Sequence, residues 1–161
     1  MLESELKVNQ FLVGYCRMLV GDIAEERLTE QPLASVNHPA WILGHLAYSA
    51  DRASTLLGAP KELPATWTGQ FGPGSKPSTT RIDYPSKDEL LKAVEQGFAR
   101  LRQVAAEATP EQLTKPSTNP RMKDALPTIQ DGVAFLLTGH LGVHLGQLSM
   151  WRRMIGLPPL F

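Results

Sequence analysis

Apolar side chains recur at steps of three and four residues in four separate stretches of the chain, the period of a helix that buries one face. The first stretch runs from about Ser4 to Glu26, with Phe11, Leu12, Tyr15, Met18, Leu19 and Ile23 on its expected stripe. The second opens in VNHPAWILGHLAYSADRASTLLG. There Pro39 suits the first helical turn, Asn37 or His38 the cap, and Gly58 the stop. The third follows Ser86, which with Glu89 forms a capping-box pattern that satisfies two free amide donors. Leu90, Val94, Phe98, Leu101 and Ala105 give its buried stripe. The fourth runs from about Ile129 to Ile155, with Thr128 as cap and GLPP as stop.

Two long connections, residues 58 to 85 and 109 to 128, separate these helices and are rich in proline. Loops of that length in a small domain wrap the core or carry function. No run of alternating β-branched residues argues for a sheet. The pattern predicts an all-α fold, a four-helix bundle of up-down-down-up or similar order, formed by one domain over residues 1 to 161.

Composition narrows the function classes. Apolar residues at 42% and charged residues at 20% suit a soluble globular domain. Sixteen basic and sixteen acidic side chains cancel, so no field of either sign draws the chain to nucleic acid or an anionic membrane. The single cysteine, Cys16, rules out an internal disulfide and is compatible with a reducing cytosol. The N-terminus lacks the pattern of a signal peptide, and no window approaches a membrane span. A cytoplasmic location is the expectation.

The chemistry concentrates in the four histidines, His38, His45, His140 and His144. His140 and His144 are four apart on one helix, so their side chains rise from one face about 5–6 Å apart. The residues around them are almost all apolar. Two buried imidazoles lose hydration and repel if both are protonated. A divalent ion removes both problems, because it takes neutral imidazole as a donor. His45, mid-helix in AWILGHLAY, is the third donor to expect. Three protein ligands with an open position describe a catalytic zinc site. The chain has no Glu-x-x-His, which argues against a carboxylate-bridged di-iron centre. Haem ligation is disfavoured by the spacing on one helix. Each histidine taken alone is more often a satisfied core residue than a ligand.

HPAWILGHLAY, followed downstream by FLLTGHLGVHLGQLSMWRRMIGLPP, resembles the DinB-like superfamily over nearly the whole chain. The resemblance implies a four-helix bundle with a metal held by His45, His140 and His144, and places the family's glutamine at Gln147. It also implies a metal-dependent enzyme with zinc or nickel as cofactor. The ion would activate a low-molecular-weight thiol or water, with thiol transfer or isomerisation ahead of hydrolysis, on a small-molecule substrate. Members include mycothiol-dependent maleylpyruvate isomerase and bacillithiol transferases, and homodimers are common. The competing class is a metal-stabilised binding or structural protein without turnover.

Other residues carry weaker expectations. His38 reads as an exposed cap or as an acid or base at the pocket rim, about 10 Å from His45 by helix rise. Gln147 reads as a fourth ligand, a packing residue or, by preference, a partner that orients an imidazole. Trp41, Tyr48 and Trp151 read as core or as pocket walls. Arg52, Arg152 and Arg153 read as solvated, or as one carboxylate-binding group among them. Cys16 reads as an inert buried thiol. Asp51 and Asp83 have no partner that the sequence identifies.

Overall fold

Helix α2 (Pro39–Leu56) buries fourteen of its eighteen residues, and most other elements lie against it. The structure is a computed structural model that describes residues 1–34 and 36–160. In chain order the helices are α1 (Glu3–Gly21), α2, α3 (Thr66–Phe71), α4 (Lys87–Glu107), α5 (Pro110–Thr114), α6 (Ile129–Leu137) and α7 (Gly139–Met154). Single 3-10 turns occupy Glu25–Arg27 and Arg81–Asp83. Among the described residues there is no strand, only an isolated bridge between Pro116 and Thr128. Helix α4 meets both α1 and α2, and each of these also meets α6 and α7. The long helices therefore form an all-α four-helix bundle in which α6 and α7 share one position. Among the described residues no helix is long and apolar enough to cross a membrane.

The helix ends form where the chain supplies their caps. The His38 side chain accepts the Trp41 amide at 3.2 Å and starts α2, with Pro39 in the first turn. Gly58 takes a left-handed φ of 91° just past the end of α2, where a side chain would be strained. Ser86 and Glu89 complete the capping box of α4, and all five residues of its expected stripe are buried. Thr128 and Asp131 do the same for α6.

Two expectations need correction. The first helix ends at Gly21 rather than near Glu26, and its buried face is Asn9, Val13, Cys16, Leu19 and Val20. Phe11 and Met18 are 64% and 54% exposed. α1 carries two apolar stripes, and packing against α4 and α7 buries the one that holds Val13 and Val20.

The second correction concerns residues 129 to 155, which do not form one continuous helix. The chain breaks at Thr138, with φ −126° and ψ −75°. The carbonyl of Leu137 is taken by the Asn9 side chain at 2.7 Å, and Thr138 Oγ1 turns back to the Ala134 carbonyl. The Phe135 ring lies where a side chain on Gly139 would stand, 3.0 Å from an added Cβ. The partner that accommodates the break comes from α1, far away in sequence.

Gly44 admits a comparable close approach. A Cβ there would sit 2.1 Å from the Phe71 ring, which is fully buried against α2. Gly44→Ala should therefore lower stability by about 1–3 kcal/mol in urea unfolding, because neither ring nor helix has room to move. Asn9→Ala strands the Leu137 carbonyl and removes the acceptor of Arg102 Nη1. It should cost about 1–3 kcal/mol in the same assay, with an unchanged m-value.

Candidate metal centre

His45 stands in the middle of α2, and His140 and His144 stand on the first two turns of α7. The break at Thr138 sets the direction of α7 and hence of both its rings. One nitrogen from each of the three histidines lies within 4.8 Å of the other two. The ring centroids are 4.7 to 5.1 Å apart. His45 Nε2 and His140 Nε2 approach to 3.2 Å. These are the three residues that spacing and resemblance single out, and they could hold a metal ion.

The hydrogen bonds on the outer nitrogens fix the tautomers. His45 Nδ1 lies 2.6 Å from the Phe71 carbonyl, an acceptor only, so the proton sits on Nδ1 and Nε2 presents a lone pair. His144 Nδ1 lies 3.2 Å from Gln147 Oε1, which also accepts from Asn37 Nδ2 at 3.1 Å. His144 therefore also keeps its Nε2 bare. Three neutral imidazoles hold three N–H groups, and two of these point outward. The third belongs to His140, whose buried Nδ1 has no hydrogen-bond partner. Lone pairs outnumber protons inside the cluster. That donor set fits a divalent cation, with the outward bonds orienting the rings as in other histidine metal sites.

Electrostatics push the same way. Burial first, and nearby His45 second, bring the pKa of His140 down to about 4. Burial, then the charges of His140 and His45, bring His144 down to about 3. Burial lowers His45, opposed by its bond to the Phe71 carbonyl. All three rings are neutral near pH 7, so no imidazolium charge opposes a metal ion. Trp41 stacks on His45 at 4.8 Å with an 8° interplanar angle, and its Nε1 donates to Ser75 Oγ. The loop after α2 thus covers the cluster.

A cavity of about 400 Å³ opens beside it, with His45 and His140 in its wall. Tyr48 and Arg52 also line this cavity, together with α6 and residues 117 to 122. The second long loop is closed at its neck by the Ser117 amide on the Pro127 carbonyl at 2.8 Å.

The structure sorts the remaining candidates. His38 is a cap as expected, but it is fully buried rather than exposed. Its Nδ1 accepts from Trp41, so Nε2 donates to the Ser78 carbonyl at 2.8 Å, and it stands outside the metal cluster. Arg152 is not solvated: it is 1% exposed and bonded to Asp22 and to the Leu19 carbonyl. Arg153 is exposed. Trp151 is core, its Nε1 donating to the Glu30 carbonyl. Cys16 is buried and its thiol is pushed up to about 12, chiefly by burial, which leaves it inert. Asp51 pairs with Arg100, and Asp83 accepts from Ser78 Oγ.

Sequence reasoning missed the role of Phe71. Its contribution is a backbone carbonyl, which no residue type advertises. The available signal was FGPG, a glycine-rich stretch in a loop too long to be a mere connector.

Comparison with curated proteins gives no match. A family profile described as the DinB superfamily matches residues 15–148. That span contains α2, the covering loop and all three clustered histidines. The chain belongs to the DinB superfamily.

Proposed function

We propose that the chain is a metal-dependent enzyme in which His45, His140 and His144 hold one divalent ion, zinc or nickel, facing a small-molecule substrate in the adjoining cavity. Thiol transfer or isomerisation is the preferred reaction, with a low-molecular-weight thiol as co-substrate, and hydrolysis comes second. One observation carries this reading: one nitrogen from each of three histidines converges beside a cavity that His45 and His140 themselves line. A structural ion would sit in a sealed shell, whereas a catalytic ion keeps a position that substrate can reach. Bound there, the ion would lower the pKa of a thiol or water and supply a nucleophile near neutral pH.

The chain's own residues do the positioning. Phe71 and Gln147 hold the protons of His45 and His144 on the outward side. Trp41 shields one face of His45 from water. Buried Tyr48 contributes to the cavity wall next to His45. The reading includes a cytoplasmic location and a homodimer. Val8, Phe11 and Met18 of α1 and Val143, Met150 and Met154 of α7 are exposed apolar side chains on two helices that touch, and a second copy would cover them.

Metal analysis of the purified protein should find about one divalent ion per chain. His144→Ala should abolish it, and retained stoichiometry would show that the ligand assignment is wrong. The metal-free protein should also lose stability on acidification. Histidine titrates at 6.5 in the unfolded chain, whereas His140 and His144 titrate at about 4 and about 3 in the folded one. Between those values the unfolded state binds more protons, so folding stability falls as pH drops from 6.5 towards 4. Urea unfolding at pH 7 and pH 4.5 should show this loss, and His140→Phe should reduce it.

A further inference from the structure

We infer that the cavity takes an amphipathic organic acid: an apolar body lies between α2 and α6, a carboxylate is held by Arg52 and Arg121, and the other end meets His45 and His140. This deepens the proposed function and rests on it for the identity of the reacting end. The argument begins with charge. Arg52 and Arg121 both line the cavity, and no aspartate or glutamate does. The chain as a whole has equal numbers of acids and bases, so two cations without an anion are a local excess. Among the described residues, Arg17, Arg27, Arg81, Arg100 and Arg152 each have an acid partner, Arg102 donates to Asn9, and Arg153 and the two cavity arginines have no ion pair. Arginine stays charged and offers a planar fork of donors that matches a carboxylate.

Shape supplies the rest. Arg52 lies two turns beyond His45 on the same face of α2, about 10 Å away by helix rise. The wall includes Leu56, Leu126, Ile129 and Leu136, and apolar surface predominates in it. A volume of about 400 Å³ suits a small ligand. The α6 N-terminus in this wall is already closed by the Thr128–Asp131 capping box, so the guanidinium groups are the cationic groups that face an anion there.

The test titrates the full chain with octanoate and, separately, with octan-1-ol by calorimetry. Each titration is made on protein as purified and again after chelation, so that the carboxylate cannot simply ligate an ion. Octanoate should bind in both forms, at least about tenfold more tightly than the alcohol. Arg52→Gln and Arg121→Gln should each weaken octanoate about tenfold and leave octanol unchanged. Both residues are exposed, so folding should be unaffected. Gly132 also lines the cavity, and a Cβ there meets nothing within 4 Å. Gly132→Leu, whose Cβ would stand in open space, should therefore fill part of the cavity and block both ligands. Equal binding of acid and alcohol, no binding of octanoate, or indifference to the arginine substitutions would overturn the inference. Metal content separates the two ideas. A protein that holds zinc but ignores octanoate sinks only the acid. One that binds octanoate but holds no metal sinks the metal reading and leaves the anion site standing.

Discussion

Two hydrogen bonds on the far side of the histidine rings decide which nitrogen each ring presents to the cluster: His45 Nδ1 to the Phe71 carbonyl, and His144 Nδ1 to the Gln147 amide oxygen. Without them either tautomer would be available, and the rings could satisfy one another. With them, the Nε2 lone pairs of His45 and His144 face the cluster, where burial disfavours protonation. Much of the surrounding structure serves these two bonds. Gly44 lacks a side chain, so Phe71 can settle against α2 and bring its carbonyl to His45. Trp41 and His38 tie the same loop down through Ser75 and Ser78. Asn37, just before α2, steadies Gln147 from the opposite side.

One face of α2 organises the site. His38, Trp41, His45, Tyr48 and Arg52 follow at steps of three and four, so they form a single row along the helix. In order they anchor the loop, cover the cluster, donate to it, line the cavity and place a positive charge at a distance. Helix α7 adds the other two imidazoles, and α6 with the second loop adds the opposing wall. The apolar residues between members of the row face the other way and hold α2 against α4.

How much of this was legible can be argued residue by residue. Caps were plain, because Ser86–Glu89, Thr128 and the His38–Pro39 pair act through their nearest neighbours. The three clustered histidines were legible for a related reason: imidazoles on apolar stripes are unusual enough to demand a partner. The failures came from long-range contacts. Phe11 and Met18 have the right period but lie on the face of α1 that α4 and α7 leave exposed. The break at Thr138 depends on Asn9, more than a hundred residues away. Arg152 reads as a surface residue until Asp22 and the Leu19 carbonyl meet it. Periodicity reports that a face is apolar, and only the assembled bundle reports which neighbour claims it.

The interruption at Thr138 divides labour within what the sequence presents as one element. The histidines lie after it, and the residues of this element that shape the far wall of the cavity, Ile129, Gly132 and Leu136, lie before it. A rigid rod would transmit any reshaping of that wall to the imidazoles through its register. A jointed one leaves the wall and the imidazoles on separate helical registers. A substitution at Ile129, Gly132 or Leu136 can then reshape the wall without changing the turns of α7 that carry His140 and His144.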